Sequence, residues 1–178
     1  MGNDLSHRFV QQVGEPFAER IVAVEGRGLP LQLQLMAGER LVDGVARAFS
    51  EAGFLGGVVD VGGATLDHFS YVMPALSKDG ANAAFYSDVY RPTGDITLES
   101  GRMSFGRRDG FPFFHCHALW AEPDGQIHGG HILPDEVRLA EDQTLHAYGF
   151  DGGVFEANPD PETNFKLFGP VSLPQQWK

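Results

Sequence analysis

Four of the seven histidines lie between Phe113 and Leu133, in the stretch FFHCHALWAEPDGQIHGGHIL. Imidazole nitrogens bind metals and move protons, so the first issue is which of the four face one another. The segment Glu122-Pro123-Asp124-Gly125-Gln126 decides this. Proline fits the first central position of a type I turn, aspartate tolerates the second, and glycine supplies the left-handed residue after it. That is a three-residue hairpin loop with a glycine bulge. If Glu122 pairs with Gln126, then Ala121 opposes Ile127, Leu119 opposes Gly129 and His117 opposes His131. His115 is two residues from His117 and shares its face. His131, opposite His117, joins them. His128 opposes Trp120 and points to the other side, as does Cys116. A two-residue Asp-Gly loop would instead send His131 to the wrong face.

Three neutral imidazoles on one face offer three lone pairs. They suit Zn²⁺, with an open fourth position for water or substrate. The neighbouring Gly129-Gly130 fits a close approach, since glycine in a strand marks a bulge or a tight neighbour. His115, His117 and His131 are therefore the expected zinc ligands. The competing reading is a set of hydrogen-bonded, inert histidines in a core or an interface. His128 has no inferred partner and reads as structural. His7, His68 and His146 are scattered. Of these, His68, beyond the Gly62-Gly63 turn, is the one further candidate. Cys116 could be a thiolate ligand or nucleophile, but its face is wrong and it is expected to be buried and inert.

The composition limits the partners. Formal net charge is −11 and the sequence pI about 4.9. An acidic surface repels phosphate backbones and anionic membranes, which counts against direct DNA binding. A local basic patch could still gather around Arg102, Arg107 and Arg108. The lone cysteine permits no intrachain disulfide, which suits a reducing, cytoplasmic setting. No basic-then-apolar leader and no apolar run of about 18 residues is present, so no membrane span is expected. Met1-Gly2-Asn3-Asp4-Leu5-Ser6 matches the myristoylation pattern formally and reads as an ordinary start.

The elements that must position the histidines are mostly strands. Many glycines with many aromatics indicate a turn-rich β protein. Arg20–Glu25 reads as a strand. Leu29–Leu35 alternates, with Leu31, Leu33 and Leu35 on one face. Over Glu39–Ala52 the period changes. Leu41, Val45, Ala48, Phe49 and Ala52 recur at helical spacing, and Gly53 is a natural stop. This is an amphipathic helix for one face of a sheet. Further strand-like stretches are Gly57–Val61, Ala64–Met73, Ala83–Tyr90, Asp95–Phe105, Pro112–Ala121, Gln126–Leu133, Val137–Phe150 and Val154–Ala157. Residues 1–17 read as an arm, and Asn158–Lys178, with four prolines, as a tail wrapping the surface. The fold class is α/β in the α+β sense: a mixed, mostly antiparallel sheet with one major helix packed on it.

At these residues the chain resembles a known family. His115-x-His117-Ala118, then Asp124-Gly125, then Gly129-Gly130-His131 is similar to the signature of the PPC domain, found in plants and prokaryotes. The resemblance extends to Gly38-Glu39-Arg40-Leu41, Ala52-Gly53-Phe54, Gly62-Gly63-Ala64 and Asp160-Pro161-Glu162-Thr163, and covers residues 29–169 or so. It implies an α/β fold, a homotrimer and, in histidine-bearing prokaryotic members, a metal at positions matching His115, His117 and His131. Plant members carry AT-hooks that bind DNA. This chain has no Arg-Gly-Arg-Pro core. The expected layout is an arm over 1–19, a PPC-like domain over 20–169 and a tail over 170–178. The expected function is a non-enzymatic, zinc-binding regulatory module with a metal near a subunit boundary, labelled DNA-binding through its family. The alternative is a small zinc-dependent hydrolase or isomerase acting on a small molecule, with Glu99, Asp67 and Glu122 as available bases.

Overall fold

The long ladder of β7 (Ile96–Arg108) against β8 (Phe111–Ala121) is the centre of the molecule. The computed structural model describes residues 12–19, 21–77 and 80–173. The main sheet continues from β8 to β9 (Ile127–Ile132) and β4 (Tyr71–Val72) on one side. On the other side lie β2 (Gly57–Asp60), β11 (Gln143–Asp151) and β1 (Arg27–Leu35). Where β2 begins, β12 (Gly153–Asp160) takes over the same edge of β7, pairing parallel at Phe155 opposite Gly106. β12 returns as β13 (Phe165–Ser172) in an antiparallel hairpin. β3 (Thr65–His68) pairs with the start of β7 and with β10 (Arg138–Leu139). A small hairpin, β5 (Pro74–Leu76) and β6 (Ala84–Tyr86), stands apart from this sheet. The sheet is mixed but mostly antiparallel, as its sequence pattern requires.

Alternation gives each strand two fates. In β8, Phe114, Cys116, Ala118 and Trp120 are buried. They meet the apolar stripe of α1 (Leu41–Glu51), made by Leu41, Val42, Val45, Ala48 and Phe49. Phe49 tilts against Phe105 on β7 with centroids 5.1 Å apart. Burial of phenylalanines such as Phe49, Phe69 and Phe114 stabilises by about 1.5–3 kcal/mol each. The helix stops where Gly53 turns left-handed at φ 81° and Phe54 N–H reaches back to the Phe49 carbonyl at 2.9 Å. A side chain on Gly53 would be strained there.

Four sequence expectations are corrected. Residues 21–25 form no strand, and Ile21 and Val22 are exposed, because this β-branched run finds no described strand to pair with. Ala64–Met73 is two strands, β3 and β4, which pair with different partners. Val137–Phe150 is likewise split into β10 and β11. The stretch from Asn158 is a strand end followed by β13, rather than a wrapping tail. Its prolines disguise this. Among the described residues β13 pairs only with β12, so Pro170 sits on an edge where a missing N–H is tolerated. The first residues of the arm, including His7 and the Met1–Ser6 pattern, lie outside the described residues, as does the chain after 173. Val13 and Gly14 donate backbone N–H groups to the Glu162 carbonyl, which ties residues 12–19 to the turn between β12 and β13. Among the described residues no helix is long and apolar enough to cross a membrane.

Candidate metal centre

The Pro-Asp-Gly turn closes as its residues dictate. Glu122 N–H donates to the Gln126 carbonyl at 3.0 Å, and Gly125 N–H to the Glu122 carbonyl at 2.8 Å. The Asp124 carboxylate accepts the Gln126 N–H at 2.9 Å, and Gly125 is left-handed at φ 81°. The register is His117 opposite His131, Leu119 opposite Gly129 and Trp120 opposite His128. His115, His117 and His131 therefore share the face turned away from α1.

Their rings converge. His115 Nε2 lies 2.9 Å from His117 Nε2, and His131 Nδ1 lies 3.3 Å from the same atom. One ligand atom from each ring falls within 4.8 Å of the others. A tetrahedral zinc with bonds of 2.0–2.1 Å sets its ligand atoms about 3.4 Å apart. The donor set fits a cation for a second reason. His117 Nε2 has either one proton or one lone pair, so it cannot pair fully with both neighbours. A metal accepting all three lone pairs removes that conflict. His131 is buried, His115 half-buried and His117 exposed, so the cluster is open on one side. Tyr86 of β6 stacks on His131 with centroids 5.3 Å apart and fixes its plane.

Electrostatics keep two of these rings ready for a metal. Burial first, then His115 and His117, push the His131 imidazole down to about 4 from an ordinary 6.5. Burial, then His117, also lowers His115. Neutral imidazole is the ligand form. The same shift makes metal-free stability depend on pH. Between about pH 6.5 and 4 the unfolded chain binds a proton that folded His131 refuses. His131's contribution is thus complete above that window and is lost as pH falls through it. We expect the urea midpoint of metal-free wild type to fall from pH 7 to 4.5 more steeply than that of His131→Gln. Parallel curves for the two proteins would contradict this.

The remaining candidates separate cleanly. His128 faces away from the triad, with Nδ1 3.9 Å from the Glu122 carboxylate, which makes Glu122 a neighbour of His128. Cys116 is fully buried and burial pushes its thiol up to about 12, so it is inert as nucleophile and ligand. His68 ends β3 opposite Arg138, and His146 on β11 opposes Gln32 on β1; neither joins the cluster. The basic patch does not form. Alternation puts Arg107 on the opposite face from Arg102 and Arg108. Each also meets an acid: Arg102 reaches Asp60 at 2.5 Å, Arg107 reaches Glu156 at 3.7 Å and Arg108 reaches Asp109 at 4.0 Å.

A cavity of about 760 Å³ opens beside His115 and His131. Tyr86, Phe113, Phe165 and Phe168 line it, with Arg108 and Lys166. Sequence reasoning missed this wall, because its aromatics come from three separate segments and carry no local signal. Asp67, Glu99 and Glu122 do not line the cavity; its carboxylates are Asp135 and Glu136. Arg91 grips Glu136 through two hydrogen bonds of 3.1 Å and holds its carboxyl below the usual range.

No protein-family model and no curated protein matches this sequence. Solved structures do match. A plant- and prokaryote-conserved (PPC) protein from Pyrococcus horikoshii aligns with a TM-score of 0.64 at 19% identity, covering 86% of this chain and 100% of its own. A metal-containing protein from Archaeoglobus fulgidus aligns with a TM-score of 0.66 at 19% identity, covering 83% of this chain and 99% of its own. A "Putative DNA-binding protein" from Ralstonia eutropha aligns with a TM-score of 0.59 at 14% identity, covering 80% of this chain and 90% of its own. Three histidines on the open face of one hairpin thus stand on a backbone of which 80–86% aligns with these structures: the chain has the fold of the PPC proteins.

Proposed function

We propose that this protein is a zinc-binding PPC-like module that holds one metal ion per chain on His115, His117 and His131 and works by binding rather than by catalysis. The observation that carries the reading is the convergence of three imidazole nitrogens within 4.8 Å on an open face. The metal-containing neighbour from Archaeoglobus fulgidus supports it. Zinc is favoured over harder divalent ions because the donor set is all nitrogen. When bound, the ion supplies a Lewis-acidic fourth position. The protein's part is to hold three neutral rings in place, with Tyr86 stacked on His131 and His117 left exposed. Elemental analysis of the purified chain should find about one zinc per chain; a metal-free protein that takes up no zinc on dialysis ends the reading. We place the domain over residues 20–169, with an arm before it and a tail after it, and the protein in the cytoplasm, where its single cysteine, buried at position 116, suits reducing conditions.

The second reading is a small zinc-dependent hydrolase or isomerase. It is favoured by the cavity beside His115 and His131, which has room for a small substrate. Its weakness is the base, since Glu136 is clamped by Arg91. Hydrolysis of small esters or amides that is lost with the metal would select it.

DNA and assembly follow from charge and exposure. With a net charge of −11 and its strand arginines facing acids, the chain should not retard random duplex DNA at low-micromolar protein and about 0.15 M salt. Retardation under those conditions would overturn this and restore a DNA role. The histidine face of the sheet also carries Phe111, Leu119, Ile127 and Tyr148, all exposed and none covered by α1. Such a face suits contact between identical chains. We propose a homotrimer, so light scattering should give three times the chain mass of 19.4 kDa. A monomer at micromolar concentration would sink it.

A further inference from the structure

We propose that the cavity beside the three histidines takes an aromatic carboxylate, with its carboxylate at the metal and its ring against the phenylalanine wall. This rests on the metal reading above and names what the open position would bind. The metal end selects an anion. All three ligands are neutral imidazoles, so a divalent ion there keeps its full charge, and a carboxylate is the natural fourth ligand.

The wall selects the body of that anion. It begins at the ligands themselves, with Tyr86 stacked on His131 and Phe168 6.5 Å from His115. Phe168 meets Phe113 edge-on at 5.4 Å and stacks on Phe155 at 5.5 Å. Aromatic rings favour offset or edge-on packing against other rings, at spacings of this kind. A sugar would leave its hydroxyls facing these rings without partners. A polyphosphate would meet Asp135 and Glu136, which line the same cavity.

Charge on the far wall fits the same ligand. Arg108 lies over the Phe113 ring at 5.3 Å, and its contact with Asp109 is a loose 4.0 Å. Asp109 is held instead by Lys166 at 2.5 Å. Arg108 is thus the cation available to a polar substituent on the ring. The cavity, at about 760 Å³, is within the usual range for small-molecule sites, about 300–1,000 Å³.

The test uses the full chain, with zinc content measured before any ligand is added. Calorimetry then compares 2-naphthoate with acetate and with 2-naphthalenemethanol. Naphthoate should bind at least about tenfold more tightly than either, since it alone has both the anion and the ring. Phe168→Ala should weaken naphthoate about tenfold at unchanged zinc content. Tyr86→Leu, on the exposed edge of β6, provides a second variant that leaves the core untouched, and should weaken it severalfold. Naphthoate binding no better than acetate to fully loaded protein overturns this inference and leaves the metal site standing. Wild-type affinity in both variants overturns it equally. A chain that takes up no zinc ends the metal reading, and this inference with it.

Discussion

Replacing His117 or His131 with alanine should strip the metal from the protein, whereas His128→Ala should leave it bound. The difference comes from one turn. Pro123, Asp124 and Gly125 set Glu122 against Gln126, and from there each pair along β8 and β9 is counted off. His131 falls opposite His117, and His128 opposite Trp120 on the other face. His117 should be the most sensitive position, because its Nε2 is the atom that both other rings approach, at 2.9 and 3.3 Å. Loss of a residue that only orients a metal ligand costs about 10–100-fold in affinity. Loss of a ligand from a three-histidine set should exceed that, so the His117 and His131 variants should lose zinc to a chelating dye more than about 100-fold more readily than wild type. The His128 variant should match wild type, because its nearest charged group is Glu122 at 3.9 Å, away from the triad. Equal zinc loss from all three variants would overturn the register argument.

What was legible in the sequence is what local geometry controls. The hairpin was readable because a five-residue turn fixes a two-residue period on both its sides. α1 was readable because its apolar spacing switches to the helical period between Gly38 and Gly53. Its observed bounds, Leu41–Glu51, differ from the expected span by two residues at one end and one at the other. The misread segments depend on distant partners. Residues 21–25 are mostly apolar and β-branched like a strand, yet among the described residues no edge accepts them. β13 contains Gly169 and Pro170, which argue against a strand, yet β12 pairs with it over its whole length. The aromatic wall is the clearest case. Tyr86, Phe113 and Phe168 are far apart in sequence and meet because two hairpins lean on each other. Ala83 N–H donates to the Thr163 carbonyl at 3.0 Å, and Asn164 donates to the Ala81 carbonyl at 2.8 Å. The arginines of β7 failed as a patch because the strand runs on to Arg108, past the expected end at Phe105, and its period of two sets Arg107 on the other face from Arg102 and Arg108.

Gly106→Ala should be among the most destabilising single changes in the chain, and it should spare the metal. A Cβ on Gly106 would sit 2.0 Å from the Phe155 carbonyl oxygen and 2.8 Å from its carbon. Both are backbone atoms of β12, so no rotamer change relieves the clash. The strands must part. β12 touches β7 in register only at Phe155 opposite Gly106 and Glu156 opposite Arg107, so this contact joins the β12–β13 hairpin to the sheet. Overpacking of this kind costs about 3 kcal/mol at the upper end of its usual range. For a chain of this size that is a fall of about 6–12 °C in melting temperature. The comparison is Gly169→Ala on β13, where a Cβ meets nothing within 4 Å. That variant should melt with wild type or slightly above it, since alanine restricts the unfolded chain. The consequences for the site divide along the strands. His115, His117 and His131 stand on β8 and β9, which Gly106→Ala leaves paired, so zinc content should hold. Phe165, Lys166 and Phe168 stand on β13, so the cavity wall should loosen and 2-naphthoate should bind more weakly. Urea melts of the two glycine variants, with zinc measured on each, check the whole chain of reasoning. Equal stability of Gly106→Ala and Gly169→Ala would mean that the parallel contact between β12 and β7 does not hold the hairpin in place.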